Sequence, residues 1–289
     1  VIDMLNLLKD WIVKKKRNAI GHVKIDGRLV WLVERKKPLS RLQKKDVLPE
    51  TWFFKKTKVM DIGKIKKQID LKRQVKPLYD NWVGTLGGVF TRYTGRGIFF
   101  SPKAFNLFKK RGVIVGEEQK VVLTNKHVVS LDMRTIASDN LFAQPDGNKI
   151  AFKVTQMSNK FDAALLVATT TRGEDWIKTQ NFNPSFQDVQ IGDEVFKSGR
   201  TTGRTSGTCV GKGATIYIDY GPGVGNIKTR NCEIYSRMSA AGDSGSIIYL
   251  KNKPETAVSL LFAGSDINTI ALPITPILNE FNIFDNTNI

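Results

Sequence analysis

The chain of 289 residues contains two cysteines and two histidines, and each scarcity removes a class of protein. Two thiols, Cys209 and Cys232, cannot supply a disulfide framework, and with two imidazoles they make a four-ligand zinc site improbable, so no cofactor is expected. Long apolar runs are missing as well. None approaches the ~20 residues that span a bilayer. Acidic residues are few beside basic ones, 27 against 45, which leaves a formal net charge of +18. What is present suffices for a core: 41% of the residues are hydrophobic, with 16 Phe and 5 Trp, and global disorder is excluded. The length suits two domains, or one two-barrel β unit with an extension.

The charge is uneven. Residues 1–80 hold 22 of the 45 basic residues but 9 of the 27 acidic ones. Composition therefore changes near Pro77–Asn81, and two units are expected: a basic N-terminal helix plus small α/β domain over 1–80, and a larger unit over 81–289. A basic unit of this kind attracts phosphate backbones or an acidic surface, so nucleic acid or an acidic partner is one expectation for residues 1–80. The runs Lys14–Arg17 and Arg35–Lys37 equally suit a solvated face. Val1, Met4, Leu5, Leu8, Trp11 and Ile12 recur at helical spacing and predict an amphipathic helix that packs this face on its own domain. Its positive charges follow the apolar face and acidic residues interrupt it, unlike a secretory leader.

Two strand-like runs, Ala19–Ile25 and Leu29–Val33, flank Asp26-Gly27, a hairpin signal. Pro38–Val47 has helical character, and Val59–Ile62 reads as a third strand. His22 lies in the first run and is expected to be a packed strand residue. From Gly84 onward the texture is short strands with glycine-rich turns: 87–90, 121–123, 163–167, 195–196, 215–218, 247–249 and 258–262. No long helical pattern is predicted before Pro276–Phe281, so this unit reads as a β-barrel or sandwich.

Three segments carry chemistry. Leu123-Thr124-Asn125-Lys126-His127 sets a histidine just after a strand. Asp162 heads the apolar strand Ala163–Val167, where a carboxylate needs partners. Ala241-Gly242-Asp243-Ser244-Gly245-Ser246 is a tight turn with glycines on both sides of a serine. Acyl transfer requires a weak hydroxyl nucleophile, an imidazole to take its proton and a carboxylate to hold the imidazole in one tautomer. The glycines let backbone N–H groups approach a developing oxyanion.

With these motifs the sequence resembles the chymotrypsin-like (trypsin-fold) serine peptidases. Gly84-Thr85-Leu86-Gly87, the stretch Lys197-Ser-Gly-Arg-Thr-Thr-Gly-Arg-Thr-Ser-Gly207 and Val33-Glu-Arg-Lys-Lys-Pro-Leu39 are similar to the branch of plant narrow-leaf-type proteases and their bacterial and phage relatives. The resemblance implies a mainly β fold of two six-stranded antiparallel barrels and peptide-bond hydrolysis by a serine endopeptidase. It makes Ser244 the nucleophile, His127 the general base and Asp162 its orienting carboxylate. Backbone N–H groups of Gly242, Asp243 and Ser244 become the oxyanion hole, and Met238, Ser239 and Gly264 the substrate pocket. Met238 argues against selection for Lys or Arg and for an apolar or small side chain before the scissile bond. The residues near Leu261–Phe262, from which support for Asp162 is expected, are apolar. Lacking the disulfides of secreted relatives, the protein is expected in a reducing compartment, cytoplasmic or virion-associated, with Cys209 and Cys232 as buried thiols or a cross-sheet pair. The competing expectation is a degenerate peptidase fold that binds nucleic acid or an acidic partner through its basic N-terminal unit.

Overall fold

The computed structural model describes residues 2–16, 19–36, 46–52, 55–67, 84–94, 117–130, 132–136, 141–143, 150–180, 184–221 and 224–284. Most of the helix expected over Pro38–Val47, the composition boundary at Pro77–Asn81 and the ends of both basic runs lie outside them. The chain begins with α1 (Ile2–Lys15), β1 (Ala19–Ile25), β2 (Arg28–Val33), β3 (Thr51–Trp52), β4 (Lys55–Lys56), β5 (Lys58–Asp61) and β6 (Lys66–Lys67). Next come β7 (Val89–Thr94), β8 (Glu117–Thr124), α2 (Lys126–Val129), β9 (Leu141–Ala143), β10 (Ile150–Met157), β11 (Ala164–Ala168) and α3 (Thr171–Thr179). The chain ends with β12 (Ser185–Phe186), β13 (Glu194–Gly199), β14 (Gly203–Asp219), β15 (Asn226–Ser236), β16 (Ile247–Leu250), β17 (Thr256–Gly264), β18 (Asn268–Pro273) and α4 (Ile274–Glu280).

Asp26 and Gly27 both adopt positive φ, 48° and 74°, the backbone of a tight two-residue turn whose twist suits a hairpin, and β1 and β2 pair antiparallel across it. β5 adds to β2 in parallel. β1 also pairs with β14 through Gly21↔Ile216 and His22↔Thr215, so the N-terminal hairpin extends the C-terminal sheet. Gly21 permits this approach: a Cβ there would stand 3.1 Å from the Ile216 Cα.

Of the apolar face expected for α1, Ile12 is buried while Leu8 and Trp11 face solvent, 45% and 56% exposed. Val13 and Asp10 are buried. Asp10 is also held inward, in an ion pair with Lys228 on β15.

The middle sheet runs β7-β8-β11-β10-β9. It has five strands among the described residues where six were expected. Val122, Val129, Phe152 and Leu166 fill one of its faces. Against it lies α3, a helix the sequence reading did not anticipate. Thr170 caps it, its Oγ1 accepting from Gly173 N at 3.3 Å, and Trp176 meets Phe152 edge-on at 6.0 Å. With charged residues on most of its surface and only Gly173 and Ile177 buried, α3 offers little apolar periodicity to read.

In the C-terminal sheet the pairings run β13-β16-β17-β18-β15-β14, and β14 pairs with β13 again. β14 is 17 residues long and bends through register shifts near Gly211 and Ala214, which lets one strand serve both ends of this circuit. Tyr235, Ile248, Val258 and Leu261 form its interior; burying each such side chain contributes about 1.5–3 kcal/mol. Cys209 and Cys232 are free, buried thiols. Burial first, then Glu233, pushes the Cys209 thiol up to about 12. No helix among the described residues is long and apolar enough to cross a membrane.

Candidate active site

Strand register brings His127 and Asp162 together. β11 and β8 pair as Ala164↔Thr124, so Asp162, two residues before Ala164, falls beside the start of α2. Asp162 Oδ1 accepts the His127 backbone N–H at 2.9 Å, and its Oδ2 is hydrogen-bonded to His127 Nδ1. Asn125 holds the backbone, its Nδ2 donating to Asp162 O at 2.8 Å. A carboxylate on Nδ1 leaves Nε2 as the basic nitrogen of the neutral ring. That Nε2 is buried and has no hydrogen-bond partner among the described residues.

Asp162 has a third donor, which comes from the other sheet. Tyr220, just beyond β14, donates its OH to Asp162 Oδ2 at 2.9 Å and stands edge-on to the His127 ring, 5.8 Å between centroids. Burial alone pushes the Asp162 carboxyl up; His127, with the hydrogen bonds from its ring and backbone and from Tyr220, outweighs burial and holds it below the usual range. The same contact, with burial, drives the Tyr220 phenol well up. The support that Leu261–Phe262 cannot give thus comes from Tyr220.

Ser244 sits in a turn held to the middle sheet by Thr85. Thr85 N donates to Ser244 O at 2.7 Å, its Oγ1 donates to Gly242 O at 2.9 Å, and its own carbonyl accepts from Thr124 Oγ1 at 2.9 Å. One residue thereby joins the serine turn to the strand that delivers His127. The glycines of Gly84–Gly87 follow from this closeness: a Cβ on Gly84 would lie 3.0 Å from Ser244 O, and one on Gly87 would lie 2.5 Å from Gly245 O. Gly245 has φ of 98°, and a Cβ on it would lie 2.6 Å from Thr124 Oγ1, so this position needs glycine on both counts. Ser244 Oγ donates to Phe262 O at 3.2 Å. Ser244 is fully buried and His127 is 2% exposed.

Of the three expected oxyanion donors, Asp243 is otherwise engaged. Its N–H donates to Ala240 O at 3.1 Å because the turn closes on itself there, whereas the N–H groups of Gly242 and Ser244 have no acceptor among the described residues. The Asp243 side chain has a different task. It accepts from Thr201 N at 2.8 Å, Ala240 N at 3.0 Å and Thr202 Oγ1 at 2.7 Å, and from Lys197 Nζ at 3.0 Å. Both side chains of the Lys197–Asp243 pair have no exposure. Burial raises the Asp243 carboxyl, but its donors, Thr202 and Ala240 ahead of Lys197, more than offset this and leave it low. The Lys197 ammonium is pulled down by burial against the opposing pull of Asp243.

Met238, Ser239 and Gly264 converge on Thr269. Met238 N donates to Thr269 Oγ1 at 3.0 Å, Ser239 Oγ lies 2.6 Å from the same atom, and Gly264 pairs with Thr269 across β17 and β18. Sequence reasoning missed Tyr220, Lys197 and Thr85 as site residues. Lys197 had a signal: it stands two residues after Val195 on β13, hence on the same inward face. Tyr220 had none.

Fold and site together define a mainly β protein in which a histidine–carboxylate pair from one sheet meets a glycine-flanked serine turn from another. Residues 111–252, just under half of the chain, match the trypsin-like peptidase domain, and that stretch contains His127, Asp162 and Ser244. No curated protein matches the chain. Solved structures that match include a glutamic acid-specific serine protease, 18% identical with a TM-score of 0.45, over 70% of this chain and 100% of that one. A Nocardiopsis protease is 20% identical with a TM-score of 0.41, over 58% and 86% of the two chains. An M. tuberculosis protease in its active form is 13% identical with a TM-score of 0.41, over 68% and 81%.

Proposed function

We propose that the protein is a serine endopeptidase of the chymotrypsin-like class, with residues 1–80 as a basic accessory unit and 81–289 as the peptidase unit. The observation that carries this reading is the buried His127 imidazole, fixed through Nδ1 by Asp162 and, among the described residues, without a partner at Nε2, in a site whose serine turn is tied to the same strand by Thr85. In the reaction Ser244 Oγ leaves the Phe262 carbonyl and attacks the substrate carbonyl carbon as His127 Nε2 takes its proton. Asp162 stabilises the imidazolium. Gly242 and Ser244 N–H groups face the oxyanion, and a donor of this kind contributes roughly 2.7–4 kcal/mol where one has been removed. The imidazolium then protonates the leaving amine. Water, deprotonated by His127, hydrolyses the ester on Ser244 and restores the hydroxyl.

An apolar or small residue before the scissile bond suits Met238, buried at the position proposed for the pocket. A fluorophosphonate probe tests the assignment: labelling of wild-type protein that disappears in Ser244→Ala supports it, and a folded wild type that resists the probe even at high concentration contradicts it.

A further inference from the structure

The partners along one edge of β17 can be read in order. Leu260 pairs with Ile247 of β16. Leu261 exchanges backbone hydrogen bonds with Ser246 and Gly245, each 2.9 Å. Phe262 O receives the Ser244 hydroxyl. The next two residues, Ala263 and Gly264, pair antiparallel with Lys67 and Lys66 of β6. β6 therefore continues the same edge directly beyond the nucleophile, and its chain direction from Lys66 to Lys67 runs toward Ser244.

A second set of contacts places β6 at the site independently. Lys66 pairs in parallel with Asp219 at the end of β14, and the following residue is Tyr220, the donor to Asp162. β6 thus bridges two strands, each within one residue of a side chain or carbonyl bonded to the candidate catalytic group. The approach is anchored. Ile62 and Ile65 are buried in the main core, and Ser265 Oγ, at the turn after β17, donates to Ile62 O at 2.5 Å. Gly63, with φ of 71°, lies against Ser265, where a Cβ would come within 2.9 Å. Complete burial of Ser244 agrees with a closed site.

An exposed strand edge beside a nucleophile is a receptor for an extended polypeptide, bound through its backbone. We propose that β6 is a built-in occupant of that edge: Lys66 and Lys67 lie where the acyl half of a polypeptide substrate pairs, and they hold the peptidase closed in cis. The inference rests on the serine peptidase reading and adds its regulation. A substrate strand must displace β6, and a tethered competitor acts at an effective concentration that free peptide rarely reaches.

The test uses the full chain in three forms: wild type, Lys66→Pro/Lys67→Pro, and Lys66→Ala/Lys67→Ala. Proline removes the backbone N–H groups that a strand needs, whereas alanine keeps them and removes the charged side chains. The expected result is fluorophosphonate labelling of Ser244 about tenfold faster in the proline form, as for a site competent in a tenth or less of wild-type molecules, with faster hydrogen exchange at residues 263–264. The alanine form should match wild type in both. Wild type labelling as fast as the proline form overturns the inference and leaves the peptidase reading standing. If no form labels while exchange still opens in the proline form, the peptidase reading fails and occupancy of the edge by β6 stands. Should the proline form not fold, exchange in wild type decides: slow exchange at 65–67 and 263–264 supports the strand, and exchange at the rate of an open loop overturns it.

Discussion

Lys197→Met offers the sharpest test of how the serine turn is held. Lys197 Nζ lies 3.0 Å from Asp243 Oδ2, and neither side chain has any exposure. Lys197 also donates to Thr202 Oγ1 and to Gly203 O. Removing one member of a buried pair leaves an uncompensated charge, which costs about 3–5 kcal/mol. Asp243 keeps donors from Thr201, Thr202 and Ala240, so the lower end, about 3 kcal/mol, applies. With a urea m-value of about 2–3 kcal/mol/M, the unfolding midpoint should fall by roughly 1–1.5 M. Asp243 lies between Gly242 and Ser244, so labelling of Ser244 at urea-free conditions should fall as well. In Lys197→Met/Asp243→Asn no charge is left unpaired, and most of the lost stability should return. The assay is urea unfolding followed by tryptophan fluorescence, with probe labelling of the same samples. A single variant within about 0.5 kcal/mol of wild type, the range of ordinary surface substitutions, would refute the reasoning.

Other predictions follow from single contacts. Tyr220→Phe removes a hydrogen bond to a charged carboxylate at 2.9 Å, worth about 1.5–3 kcal/mol, so Ser244 labelling should slow by roughly ten- to a hundredfold; an unchanged rate would exclude Tyr220 from positioning Asp162. Thr85→Val takes away the donor to Gly242 O and the acceptor for Arg200 N at 3.1 Å; urea unfolding should show a loss of about 1–3 kcal/mol that Thr85→Ser does not share. Two buried groups should oppose each other in the pH dependence of stability. Burial, against donors from Ser259 and Tyr235, pushes Glu233 up to about 7 from 4.5, so the folded state holds a proton the unfolded state has lost and stability falls as pH rises across that window. Burial pulls His22 down to about 4 from 6.5, so stability falls as pH drops across that one. Each is on the order of 3 kcal/mol. Urea midpoints at pH 5, 6 and 7 should rise with pH in Glu233→Gln and fall with pH in His22→Gln; parallel profiles in the two variants would contradict both assignments.

The parts of the protein governed by local pattern were legible in the sequence. Asp26-Gly27 dictates its hairpin through backbone conformation alone, and β1 spans Ala19–Ile25 as read. His127, Asp162 and Ser244 each carry a weak local signal, at two strand ends and in a glycine-flanked turn, and their joint occurrence in that order within a β-rich stretch singles them out. What remained hidden depends on partners distant in sequence. Asp10 on α1 is buried against Lys228, 218 residues away, and no periodicity in the first sixteen residues encodes that. Tyr220 meets Asp162 across 58 residues of sequence, and its neighbours carry no motif. Strand alternation from Val195 puts Lys197 on the inward face, but its partner Asp243 is 46 residues away and no local pattern names it. β6 is two lysines, Lys66 and Lys67, with no strand propensity to announce them; its place is fixed by Ile62 and Ile65 entering the core on the approach.

Peptide-bond cleavage itself is the most direct measurement. Wild type, the Lys66→Pro/Lys67→Pro form and Ser244→Ala in each background are incubated with a mixed peptide library, and new termini are identified by mass spectrometry. The account predicts new termini that follow apolar or small residues, more abundant in the proline form, and none in either Ser244→Ala protein. Equal cleavage with and without the Ser244 hydroxyl, or no cleavage by either folded protein that retains it, would contradict it.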